Sequence, residues 1–118
     1  MTQTKLDNFT LAYIECALWS STDENDESLD RNYGREDLAS ETLDSMIADC
    51  AKFQDANSEW FNGDITQAGH DFWLTRNRHG AGYWDGDWAE PGANKMTEAA
   101  HAFGESNLYV GDDGLIYC

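Results

Sequence analysis

The apolar positions fall at helical spacing through the first half of the chain and in short strand-like runs through the second. Phe9, Ala12, Tyr13, Cys16 and Ala17 recur every three or four residues and make one apolar stripe. Asn8 is placed to cap this helix, and the stripe runs out near Trp19. Ser20 to Asp30 is rich in Asp, Glu, Ser and Asn and reads as an exposed acidic loop. Leu43, Met46, Ile47, Cys50 and Phe53 define the buried face of a longer helix, from Glu36 or Ser40 to about Trp60. Asn62-Gly63 stops it, and Asp64 caps a short third helix through Ile65, Ala68 and His70.

The texture then changes. Phe72, Trp73, Leu74 and Thr75 are aromatic and β-branched and predict a strand, with continuation of the third helix through Arg76 as the alternative. Asn77 to Gly82 is turn material, and Tyr83-Trp84 resumes an extended pattern, so a hairpin is expected here. Gly86 to Gly92 is a loop. Asn94 is expected to cap a fourth helix with Met96, Ala99, Ala100 and Phe103 inward and Gly104 at its left-handed end. Leu108-Tyr109-Val110 and Leu115-Ile116-Tyr117 flank a Gly-Asp-Asp-Gly turn, the clearest hairpin signal in the chain. The predicted class is α+β: N-terminal helices packed on a small antiparallel sheet of C-terminal hairpins, with one inserted helix. Residues 1–118 read as a single domain.

Charge changes this picture from any small domain to an acidic one. The chain carries 23 Asp and Glu against 7 Lys and Arg, a formal net charge of -16 in 118 residues. It is 41% hydrophobic and 13% aromatic with one proline, Pro91, so it folds, and the charge sits on the outside of a folded body. Such acidity argues against direct contact with nucleic-acid phosphates or anionic lipid. The N-terminus has no basic-then-apolar signal pattern and no apolar run nears the ~20 residues of a membrane span. Cys16, Cys50 and Cys118 are odd in number and show no metal-ligand spacing; they read as buried free thiols in a reducing cytosol. The expected setting is the cytoplasm, with no cofactor.

Three constellations carry candidate chemistry. The loop acids Asp23, Glu24, Asp26, Glu27 and Asp30 suggest a calcium loop, but a twelve-residue EF-hand frame from Asp23 puts Ser28 where Gly belongs and Gly34 where Glu belongs. The loop is better read with Asp37, Glu41 and Asp44, spaced four and three apart on the second helix. Such a row places carboxylates ~5–6 Å apart and could imitate a row of phosphates. Between Asp7 and Glu59 only Arg31, Arg35 and Lys52 oppose the carboxylates. These eight acids are the candidate contacts to the basic groove of a nucleic-acid-binding protein.

The one basic island is His70, Arg76, Arg78 and His79. His70, His79 and Asp85 could serve an acid–base or metal-dependent enzyme, with no recognised spacing to single that out. The structural alternative pairs Arg76 and Arg78 with Asp71, Asp85 or Asp87. Trp60 and Trp88, flanked by polar residues and glycine, are candidate surface anchors for a partner or for a homodimer of a structural or assembly protein.

The stretch AGHDFWLTRNRHGAGYWD over residues 68–85 resembles small acidic proteins encoded by bacteriophages and prophages. The tail FGESNLYVGDDGLIY over 103–117 and the opening AYIECALWSS over 12–21 are similar to theirs as well. Arg78 stands where similar proteins often carry a small residue. The resemblance implies a phage accessory protein in the host cytoplasm and no catalytic residue. By analogy, small acidic phage proteins act on host machinery that grips nucleic acid, such as restriction or CRISPR effectors. A DNA-mimicking inhibitor of host defence is the function expected.

Overall fold

In the computed structural model, which describes residues 6–23, 25–78, 82–83 and 88–118, a carboxylate opens the first helix. Helix α1 spans Asn8–Ser20. Its cap is Asp7, one residue earlier than the sequence suggests, with Oδ1 accepting from the Thr10 N–H at 2.8 Å. The other Asp7 oxygen accepts from Gln54 Nε2 at 3.1 Å and ties this start to the second helix. The stripe predicted for α1 is wider in the folded chain. Phe9, Thr10, Ala12, Tyr13, Ile14, Cys16, Ala17 and Leu18 are all buried, and Asn8, Glu15 and Trp19 are left exposed.

Helix α2 spans Ser40–Asn57 and runs into a single 3-10 turn, Ser58–Trp60. Helix α3 spans Ile65–Arg76 and is capped by Asp64. The predicted strand at Phe72–Thr75 is therefore helical, as the alternative reading had it. All four residues are buried, and a short apolar run fits a helix surrounded by core as well as it fits a strand. Asn77 ends α3 by donating its side-chain amide to the Trp73 carbonyl at 3.0 Å. Tyr83 returns to the helix it was expected to leave: its N–H donates to Thr75 Oγ1 at 3.1 Å and its hydroxyl to the Ala68 carbonyl at 2.5 Å. Trp84 lies outside the described residues.

Helix α4 spans Gly92–Phe103 and begins after Pro91 rather than at Asn94, whose N–H donates to the Glu90 carboxylate at 2.8 Å. Gly104 ends it, with the positive φ of 78° expected of a glycine there but with ψ at 171°, an extended conformation open to glycine and not the expected left-handed helical one. The tail forms the expected hairpin, β1 (Tyr109–Val110) antiparallel to β2 (Ile116–Tyr117), with Val110 opposite Ile116. The described residues thus give an α+β fold in which α4 precedes the one hairpin instead of being inserted between two. Ile116 also accepts from the Ala39 N–H at 3.0 Å, which docks the hairpin at the entrance of α2.

The core is aromatic. Phe53 stacks on Phe72 at 4.2 Å between ring centroids and lies parallel to Tyr83 at 5.7 Å, and Phe9 stacks on Phe61 at 5.5 Å. No helix is long and apolar enough to cross a membrane among the described residues.

Candidate functional site

Residues Thr22 to Ser28 close on themselves through an antiparallel bridge between these two ends. Asp23 Oδ1 accepts from the N–H groups of Asn25 and Glu27 at 2.8 and 3.1 Å, and Glu27 Oε2 accepts from Asn32 Nδ2 at 3.1 Å. Two of the loop acids therefore spend an oxygen on holding the turn, the usual service of Asp in loops. Asp26 and Asp30 are exposed, and Glu24 lies outside the described residues.

The row of Asp37, Glu41 and Asp44 does not form. Asp37 belongs to a 3-10 turn, Arg35–Asp37, and its carboxylate accepts from the Gly34 N–H at 2.8 Å. Buried Leu38 and Ala39 separate it from the start of α2. The turn wins because Asp37 closes it locally, whereas a helix started at Glu36 would forfeit the docking of Ala39 on β2. Glu41 and Asp44 do share an exposed face of α2, and beyond them Asp55 in its last turn and Glu59 in the 3-10 turn that follows are exposed. The stretch between Asp44 and Asp55 carries exposed Ala48, Ala51 and Lys52 over about 16 Å of helix. The result is two separated groups of acids, Glu41 with Asp44 on the helix and Asp55 with Glu59 around its end, and not a continuous row.

Few of these charges are neutralised from within. Between described residues one permanent ion pair forms, Arg76 with Asp49 at 2.8 Å; His70 Nδ1 lies 3.3 Å from Asp71 Oδ1, a contact that is ionic only with the ring protonated. Arg76 was expected to pair with Asp71, Asp85 or Asp87. Among described residues it pairs with Asp49 on α2 and not with Asp71, which already accepts from Trp88 Nε1 at 2.7 Å and from Gln67 Nε2 at 3.0 Å. Asp85 and Asp87 lie outside the described residues.

The Trp88 indole is buried by this contact, which corrects its assignment as a surface anchor: a buried indole N–H needs an acceptor, and Asp71 supplies it. Trp60 is half-buried and packs against Gly92, where a Cβ would stand 3.1 Å from its side chain. Among described residues no three His, Cys, Asp or Glu side chains gather as a metal site, and His79 and Asp85 are not described. Burial, with the nearby Asp71 charge adding to it, pushes the Cys16 thiol up to about 12, so it stays protonated and inert at neutral pH.

A groove of about 630 Å³ runs along the outer side of α1, bounded by α3 and the segment 30–35. Its walls include Glu15, Trp19, Asp30, Tyr33, Arg35 and His70. Trp19 is 57% exposed, and its indole lies 6.3 Å from the His70 ring, centroid to centroid. Ionised Asp71 can only accept, so His70 Nδ1 donates to it, and in the neutral ring Nε2 keeps the lone pair. The sequence signal for this groove is the set Leu11, Glu15 and Trp19, a strip of α1 at four-residue spacing that stays out of the core. No protein-family model, curated protein or solved structure matches the chain.

Proposed function

We propose that this chain is a phage accessory protein that binds the basic, nucleic-acid-binding surface of a host protein and competes there with nucleic acid, as an inhibitor of host defence. The observation that carries the reading is the unspent charge. With a net charge of -16 and one permanent ion pair, Arg76 with Asp49, between described residues, most of the described carboxylates face solvent without an Arg or Lys partner. A fold gains nothing from such self-repulsion, whereas a cationic surface gains both attraction and counterion release when it meets one. The acidic pairs Glu41/Asp44 and Asp55/Glu59, with the loop acids Asp26 and Asp30, are the surfaces assigned to this contact.

The test begins with capture of partners from a bacterial host lysate on the tagged protein, eluted with rising salt. A nuclease, effector or polymerase subunit released by salt and displaced by duplex DNA is the expected result. The quadruple reversal of Glu41, Asp44, Asp55 and Glu59 to lysine should then weaken binding to that partner at least tenfold. Unchanged affinity of the folded variant would remove the electrostatic reading.

A further inference from the structure

We propose that the groove beside α1 seats an arginine side chain of the partner, with the Trp19 indole as its platform. The inference rests on the reading of the chain as a binder of basic surfaces, and it names one anchoring point on that surface.

Trp19 is the first reason. Helix α1 is buried around almost its whole circumference, yet its largest side chain is left 57% exposed at the C-terminal end. Tryptophan is the residue type that most often anchors an interface, and its face is the strongest cation–π acceptor among side chains. The walls supply the second reason. Glu15 and Asp30 stand against one permanent cation, Arg35, in a molecule whose overall field already draws cations. An anionic or nucleotide ligand would enter against that field.

His70 supplies the third. Its ring is fixed beside the indole by Asp71, and Asp71 is itself 3% exposed and bonded by Trp88 and Gln67. Burying a carboxylate is costly unless donors surround it. Here the buried group orients a half-exposed imidazole at the groove wall, and the neutral form of that ring offers Nε2 as an acceptor. Platform, carboxylates and acceptor together suit a flat, donor-rich cation. A guanidinium stacks through its plane while its N–H fork donates at the edges; an ammonium offers only a point charge. That difference selects arginine over lysine.

Hexa-arginine and hexa-lysine peptides of equal length, titrated into the full chain by calorimetry at one ionic strength, test this directly. Wild type should prefer the arginine peptide by about threefold or more. Trp19→Ala, at an exposed position and checked for an unchanged melt, should abolish that preference, and His70→Ala should reduce it. The lysine reversal on α2 should weaken both peptides alike and leave the preference standing. Equal binding of the two peptides by wild type, or an intact preference in Trp19→Ala, overturns the arginine seat while leaving the broader reading in place. Failure of both peptides to bind overturns the broader reading too.

Discussion

Arg76 joins three helices through one guanidinium. It donates to Asp49 on α2 at 2.8 Å, to the Tyr13 hydroxyl on α1 at 2.9 Å, and to the carbonyls of Phe103 and Gly104 at the end of α4. Its carbon also lies 5.7 and 5.6 Å from the ring centroids of Phe72 and Phe103. A lysine carries the charge without the fork, so it cannot serve these acceptors together. Arg76→Lys is expected to lose about 2–4 kcal/mol, below the figure for a fully buried pair because Asp49 keeps some water. A fall in the urea midpoint at unchanged slope checks it. The structural alternative for Arg76 looked for a carboxylate nearby in sequence, and Asp49 was missed because a partner 27 residues upstream on another helix leaves no trace in local spacing. Asp7 offers a second test. Burial pushes its carboxyl up, but the hydrogen bonds from the Thr10 hydroxyl and N–H and from Gln54 together outweigh this and hold it below its ordinary value. A carboxyl with a lowered folded pKa gives its full stabilisation above the ordinary carboxylate range and loses it as pH falls through the folded value. Asp7→Ala should therefore cost about 1 kcal/mol at neutral pH. The gap to wild type should close in acid, as paired melts at pH 7 and in strong acid would show.

At the scale of elements, what was legible is what is local. The apolar spacing of α2, the Asp64 cap of α3, the Gly104 end of α4 and the tail hairpin all follow from neighbours within a few residues. The misreadings share a different cause. Phe72–Thr75 looks like a strand because a helix enclosed by core on every side loses its polar face, and with it the period that identifies it. The start of α2 was blurred because Asp37 and Ala39 are claimed by Gly34 and β2, contacts that a helical pattern does not encode. Gly69 is the clearest case of packing hidden in sequence. It lies in the middle of α3, where glycine is a poor helix former, yet a Cβ there would strike the backbone carbonyl of Phe9 on α1. The two helices are close because that side chain is missing. Gly69→Ala should improve helix propensity by up to about 1 kcal/mol. It should still destabilise the protein by about 1–3 kcal/mol through forced separation of α1 and α3. Thermal or urea unfolding would report a net loss; a net gain would mean the interface yields.

At the scale of the whole molecule, charge acts on the fold and on any basic partner with opposite sign. The body measures 44 × 36 × 21 Å. At 0.01 M salt the screening length is about 30 Å, so carboxylates repel one another across most of that span; at 1 M it is about 3 Å and each is nearly alone. The unfolded chain spreads the same -16 over a larger volume, so self-repulsion costs the native state more and salt relieves it. The melting temperature should accordingly rise between 0.01 and 1 M sodium chloride, by about 5 °C if the relieved repulsion is about 1 kcal/mol. A complex held by these carboxylates should weaken over the same range, because each cation on the partner regains competing counterions. The two slopes are measured on one protein with one salt series, by melting alone and by titration with the partner. Opposite slopes are what an acidic surface kept for a basic partner requires. If the complex tightened with salt alongside the fold, the contact would be apolar, and Trp19 and its groove, rather than the carboxylates, would be the face to dissect first.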